Sequence, residues 1–111
     1  MIKDVAMSKR VAVLLADGFE EAEAVAFIDI MRRLDINVDV LACRDELKLN
    51  SYFKVNITAD FTLSEKFEEN YDAVMMPGGP EGTANLTSDK MVIDFLTVSY
   101  THLTLPTICS V

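Results

Sequence analysis

Arg10 to Ala16, RVAVLLA, is apolar at nearly every position and is broken by Asp17-Gly18. A run with no polar face predicts a strand buried on both sides and followed by a sharp turn. From Glu20 to Leu34 the period changes, and Ala24, Phe27, Ile28, Met31 and Leu34 recur at three- and four-residue spacings that share one helical face. Glu20 and Glu21 suit the positive N-terminal end of that helix, and Arg32 and Arg33 its negative C-terminal end. Ile36 to Ala42, INVDVLA, alternates apolar with polar residues and predicts a second strand, which completes a right-handed β-α-β unit.

Between Arg44 and Asp60 the segment LKLNSYFKVNITAD holds two short β-like pieces around Asn50-Ser51, which predicts a hairpin beside the main sheet. Thr62 to Lys66 reads as a brief helix. Tyr71 to Met76, YDAVMM, reads as a third core strand running into the turn Pro77-Gly78-Gly79-Pro80. A loop over Glu81 to Leu86 then leads to a helix, Asp89 to Leu96, with Met91, Val92, Phe95 and Leu96 as its stripe. There are no internal repeats and no linker. Strands alternating with helices predict one three-layer α/β domain of the flavodoxin-like kind, built on a parallel sheet.

Composition narrows the partners. Lys plus Arg number 10 against 18 Asp plus Glu, and a net charge of -8 repels phosphate, so neither nucleic acid nor an anionic membrane surface is expected. Cys43 and Cys109 are the only cysteines. Two thiols without Cys-x-x-Cys or Cys/His spacing argue against a disulfide framework or a zinc site and suit a reducing cytoplasm. No stretch approaches the roughly 20 apolar residues of a membrane span, and the first ten residues lack a signal-peptide core.

The charge pattern has a break. Every charged residue lies at or before Asp94, while Thr97 to Val111, TVSYTHLTLPTICSV, has none. The run Val98 to Thr107 resembles the translation of a transposase-type sequencing adapter, so residues 97–111 are expected to be a non-native tail and are excluded from fold reasoning. His102, the chain's single histidine, and Cys109 both fall in it. A nucleophile built from those two is therefore discounted; the alternative is a genuine uncharged C-terminal strand and loop.

In open parallel sheets ligands bind beyond the C-terminal ends of the strands, which points to the segments after the first and third core strands. The first, Ala16-Asp17-Gly18-Phe19-Glu20-Glu21-Ala22-Glu23, carries three carboxylates in the first helical turns. They either complement the helix dipole, at about 0.3 to 1 kcal/mol each, or include a functional one. Glu23 is the candidate, a full turn inside the helix between Ala22 and Ala24. A poorly solvated carboxyl there would have its pKa raised and would hydrogen-bond a reactive partner. The second segment, Met75 to Gly82, leaves its strand through two glycines that permit positive φ and close approach of a ligand, and whose amides can stabilise an oxyanion. It is neither a P-loop nor a dinucleotide fingerprint. A plain tight turn is the other reading.

Together, KRVAVLLADGFEEAEAVAFIDIMRR (Lys9 to Arg33) and YDAVMMPGGPEGTANL (Tyr71 to Leu86) resemble the opening strand-helix unit and Pro-Gly-Gly loop of the ThiJ/PfpI superfamily, at matching separation. Asp72, Asn85 and Leu86 also match, and the likeness spans residues 9–96. The resemblance implies the class I glutamine amidotransferase-like variant of the flavodoxin-like fold, here truncated, and a cysteine-dependent, cofactor-free parent. It implies Glu23 as the glutamic acid bonded to the nucleophilic thiol and Gly79 as a backbone donor to the oxyanion, with Gly78 and Pro80 beside the substrate. The parent is expected to be a homodimer acting on a reactive carbonyl such as methylglyoxal, in glyoxalase III or deglycase fashion. A redox-sensing chaperone, or an amidotransferase- or peptidase-like member, is the alternative.

The pattern departs in one decisive respect. The family's cysteine lies in an Ala-Ile-Cys-Ala-Gly-like turn after the helix that the sequence ends at Leu96, and neither that turn nor the His after it is present. Cys43 lies outside both motifs and reads as a small hydrophobe. Phe53 stands about where some relatives carry a basic residue, so a preference for anionic substrates does not transfer. The chain is expected to be inactive and only marginally folded, because part of the cover for its first strand would come from residues it lacks.

Overall fold

A computed structural model describes residues 8–102 and 107–110, with side chains over residues 8–99. Five strands form one parallel sheet: β1 (Arg10–Leu15), β2 (Asn37–Ala42), β5 (Phe61–Thr62), β6 (Ala73–Met76) and β7 (Thr107–Ser110), in the order β5-β2-β1-β6-β7. Strand β1 is central because it is apolar at every position after Arg10. Val13, Leu14 and Leu15 are fully buried, and alternate residues enter two cores. Val11, Val13 and Leu15 pack with Phe19 and Ala24 under helix α1 (Glu21–Arg33). Ala12, Leu14 and Ala16 pack with Leu86, Val92 and Phe95 of helices α2 (Pro80–Thr87) and α3 (Lys90–His102). The three-layer expectation holds.

These contacts correct the expected shortage of cover over β1. Both of its faces and both of its edges are occupied by the chain itself, so the large side chains that a wet strand would leave in water are buried. The argument for marginal stability loses that premise.

Other differences are local. Residues 80–87 form a helix rather than a loop, because Pro80 at the first helical position supplies a preset φ and has no N–H to leave unpaired. Strands β3 (Lys48–Asn50) and β4 (Asn56–Thr58) pair antiparallel as a separate ribbon. Their loop is centred past Asn50-Ser51: Ser51 N–H donates to Val55 O at 3.0 Å, Val55 N–H donates to Ser51 Oγ at 2.9 Å, and Lys54 takes φ 67°. The expected helix over Thr62 to Lys66 shrinks to one 3-10 turn, Ser64–Lys66, because Thr62 is already paired to β2 opposite Ala42.

Helix α3 passes Leu96 and continues to His102, and Thr107–Ser110 lie parallel to β6. Residues 103–106 and 111, also assigned to the expected tail, lie outside the described residues, as do residues 1–7. Among the described residues no helix is long and apolar enough to cross a membrane.

Candidate active site

All four glycines of the chain meet where the turn after β1 touches the turn after β6. Phe19, fully buried, anchors the first turn in the core, and Gly18 before it adopts φ 87°. Glu20 then caps α1, its Oε1 accepting from Ala22 N–H at 3.2 Å. That bond satisfies a donor with no partner inside the helix and accounts for Glu20 without any catalytic role.

Glu23 is placed differently. Its Oε1 accepts from the Gly78 N–H at 2.8 Å across 55 positions of sequence, while Gly78 O accepts from the Glu20 N–H at 3.0 Å. The Gly78 peptide is thus gripped at both polar ends by the first turn of α1. Among the described residues the second oxygen of Glu23 has no hydrogen-bond partner. A half-buried carboxyl group with one oxygen fixed and one free is oriented to exchange a proton or hydrogen bond with a group entering from the strand ends.

Gly79 follows with φ 98° and caps α2. A Cβ there would lie 2.9 Å from Gly18 O and 3.2 Å from Glu20 N, so both the backbone angle and the space require glycine. Among the described residues nothing accepts from the Gly79 N–H, which leaves it available to an incoming oxygen. Pro80 is exposed at the head of α2, and Gly82 N–H donates to Gly18 O at 3.1 Å. Of the residues singled out in the sequence, Glu23, Gly78 and Gly79 are brought together, with Pro80 at the rim. Asp72 is not: its carboxylate accepts from Arg10 N–H at 2.8 Å at the opposite end of the sheet. Leu86 is a core residue.

Asp17 and Asn85 belong to the same junction, Asn85 Nδ2 donating to Asp17 O at 2.8 Å. The sequence gives Asp17 no signal beyond its place beside Gly18, since its partners lie far along the chain.

Cys43 sits elsewhere, at the end of β2. It borders two cavities of about 210 and 380 Å³ that open between the ends of β1 and β2 and the α2–α3 side and are shared with Arg44 and Asp89. Neither cavity includes Glu23 or Gly79. Burial first, and the Asp89 carboxylate second, push the Cys43 thiol up to about 12, so it is protonated at neutral pH and a poor nucleophile. In the β6–β7 ladder the backbone of Cys109 stands opposite Met75 and Ser110 opposite Met76, which carries β7 to the same end of the sheet as the Pro77 turn. Among the described residues no group of His, Cys, Asp and Glu is arranged to hold a metal ion.

Comparison with known proteins places these features in a family. A model of the DJ-1/PfpI family matches residues 9–110. Protein DJ-1 homolog B of Arabidopsis thaliana is 37% identical over 87 residues, covering 78% of this chain and 20% of the relative. The Parkinson disease protein 7 homolog of Danio rerio is 36% identical over 89 residues, covering 79% and 47%. Among solved structures, a cysteine-to-alanine mutant of a DJ-1 superfamily protein from Salmonella typhimurium is 48% identical with a TM-score of 0.87, covering 92% of this chain and 54% of that one. Drosophila melanogaster DJ-1beta is 28% identical with a TM-score of 0.84, covering 90% and 54%. The chain spans between 14% and 48% of the length of these and other curated relatives it matches.

Proposed function

The chain belongs to the DJ-1/PfpI family, and from that premise we propose that it forms the Glu23 and Gly79 half of a cysteine-dependent site whose full-length parent acts on reactive carbonyls such as methylglyoxal. The observation that carries this is the 2.8 Å bond from Gly78 N–H to Glu23 Oε1, which holds the α1 carboxyl against the loop beyond β6 that carries the free Gly79 N–H. In the proposed reaction a thiolate adds to the aldehyde carbon. A C–S bond forms, and the carbonyl electron pair moves onto oxygen, where the Gly79 N–H receives it. Glu23 exchanges the proton between sulfur and the hemithioacetal oxygen. The hydrogen on the hemithioacetal carbon then moves to the neighbouring ketone carbon through an enediol, so the first carbon is oxidised to a thioester as the second is reduced to an alcohol, and water cleaves the thioester C–S bond to release lactate and the thiol. Gly78 and Pro80 border the substrate.

The nucleophile of this reading lies in a turn of the parent, with residues 97–111 of foreign origin and the chain itself inactive. A specific observation favours a second reading: the backbone of Cys109 is registered opposite Met75, one residue before its strand ends, at the same end of the sheet as the Pro-Gly-Gly turn. Lactate formation from methylglyoxal separates the readings when assayed with the full-length parent, the parent with the cysteine of its Ala-Ile-Cys-Ala-Gly-like turn changed to Ala, the 111-residue chain and its Cys109→Ala variant. Cys-dependent turnover by the parent alone supports the proposal. Its absence there rejects the carbonyl chemistry in favour of the redox-sensing or chaperone alternative, and Cys109-dependent turnover by the chain makes the tail functional.

We further place the parent in the cytoplasm as a homodimer. Val25 and Ile30 of α1 and Phe53 of the hairpin loop are 49%, 52% and 72% exposed, which leaves apolar side chains available to contact a second copy. Light scattering that returns a monomer at micromolar concentration would remove the dimer from the proposal.

A further inference from the structure

The junction behind the Pro-Gly-Gly turn is fixed by a residue that the proposed chemistry does not use. We infer that Asp17 is a positioning residue which, with Arg44 and Asn85, clamps the Gly18 peptide against Gly79 and so sets the place of the Gly79 N–H and the Glu23 carboxyl. The inference rests on the roles proposed above for Glu23 and Gly79.

Asp17 uses all three of its acceptors. Its Oδ1 accepts from Asn50 N–H at 3.0 Å, its Oδ2 meets Arg44 Nη1 at 3.0 Å, and its carbonyl accepts from Asn85 Nδ2 at 2.8 Å. The partners come from the β3–β4 ribbon, the segment leading into it, and α2. Arg44 also donates to Lys48 O at 3.2 Å, which ties the carboxylate to the base of the ribbon. The next residue continues the lock: Gly18 N–H donates to Asn50 O at 2.8 Å and Gly18 O accepts from Gly82 N–H at 3.1 Å. Every polar atom from Asp17 O to Gly18 O is therefore held.

The oxyanion turn rests on Gly18 O, which belongs to the next peptide of this locked stretch. Gly18 O is the nearest atom, at 2.9 Å, to the point where a side chain on Gly79 would project. Rotation of the Gly18 peptide therefore displaces Gly79, and with it the Gly78 N–H that fixes Glu23. The ion pair itself is exposed, with side-chain accessibilities of 35% for Arg44 and 40% for Asp17. Exposed pairs of this kind contribute little to global stability. The effect of Asp17 is local.

Amide hydrogen exchange in the full-length parent tests this, comparing wild type with Asp17→Ala, Asp17→Asn and Arg44→Ala. Asp17→Ala is expected to speed exchange at Gly78 and Gly82 by at least about tenfold while leaving the core amides of Val13 and Leu14 unchanged. Asp17→Asn keeps the acceptor for Asn50 and is expected to restore most of the protection. Arg44→Ala, which leaves Asp17 in place, is expected to fall between them and supplies the same comparison if Asp17→Ala does not fold. Unchanged exchange at Gly78, or an equal rise at Val13 and Leu14, overturns the inference. Failure of the Glu23 role itself shows separately, as a Glu23→Gln variant whose nucleophilic thiol titrates like wild type while the Asp17 variants still alter Gly78 exchange.

Discussion

Replacing Gly82 by Ala sets two effects of opposite sign against each other. Gly82 lies inside α2, where alanine is favoured over glycine by about 1 kcal/mol. Its Cβ, however, would lie 2.7 Å from Phe19 Cα, 2.8 Å from Phe19 N and 3.0 Å from Gly18 C. Carbon atoms pack best at about 3.5 to 4.0 Å, so the two turns would have to part by most of an ångström. No flexible side chain can yield, because all three atoms are backbone. Phe19 is held by its buried ring, by its N–H bond to Ala16 O at 3.2 Å, and by its carbonyl, which accepts from Tyr52 N–H at 2.8 Å. Overpacking costs about 1 to 3 kcal/mol, and stretching the bond from Gly82 N–H to Gly18 O adds about 0.5 to 1.5 kcal/mol. The steric cost wins, with a net loss of roughly 1 to 3 kcal/mol, or a fall in Tm of roughly 5 to 15 °C in a domain of this size. Urea unfolding of wild type and Gly82→Ala, with Thr83→Ala as an exposed control, measures it. A Gly82→Ala protein as stable as wild type, or more so, would refute the close approach of the two turns.

In the full-length parent, Glu23→Gln is expected to raise the pKa of the nucleophilic thiol and lower activity, while Glu20→Gln, which keeps its capping oxygen, does little; identical alkylation-versus-pH curves for the two would count against the assignment. Cys43 is expected to resist iodoacetamide at pH 8 and to react readily only as the pH approaches 12, because burial and then Asp89 disfavour its thiolate; labelling at pH 8 as fast as a free thiol would contradict this. Burial, then the 2.7 Å bond to Asp39, hold the Tyr71 hydroxyl above its ordinary value, so its stabilising contribution is present below about pH 10 and is lost as the pH rises further. Tyr71→Phe is expected to cost about 1 kcal/mol at neutral pH and to flatten the alkaline decline; a decline as steep as wild type would exclude Tyr71 as its source.

The elements legible in the sequence are those long enough to show a period. Strand β1, helix α1 and strand β2 are marked by an apolar run, a helical stripe and an alternation, and their buried residues fall where the pattern puts them except at Leu34, which was expected on the stripe but caps the helix and is 55% exposed. Helix α2 escaped because it has eight residues and includes Gly82, so its stripe is too short to stand out and its glycine argues for a loop. The one usable signal was Pro80, the residue best suited to a first helical position. Strand β5 has two residues, fewer than any alternation needs, and is fixed by pairing with Leu41 and Ala42. Helix α3 and strand β7 extend through a segment set aside for its lack of charge and its likeness to an adapter translation, criteria that are blind to helical or strand-forming capacity.

The site was legible for a different reason. Glu23 was set apart locally by its place a full turn inside the helix between Ala22 and Ala24, and the resemblance carried jointly with a second motif more than fifty residues away gave it its expected role. The structure supplies the physical link, since the same first turn that caps itself through Glu20 reaches the Gly78 peptide through Glu23. Backbone atoms of the two turns approach so closely that Gly79 and Gly82 have no room for an unstrained Cβ, while at Gly18, with φ 87°, a Cβ would meet the Glu81 side chain. Closeness of that order is what lets a glutamate side chain span the gap and hold a loop amide at 2.8 Å. The glycines and the carboxyl group are thus one device. A change that opens the turns by a fraction of an ångström weakens the Glu23 bond and the packing of Phe19 together, so stability and site geometry are expected to fall in step at these positions.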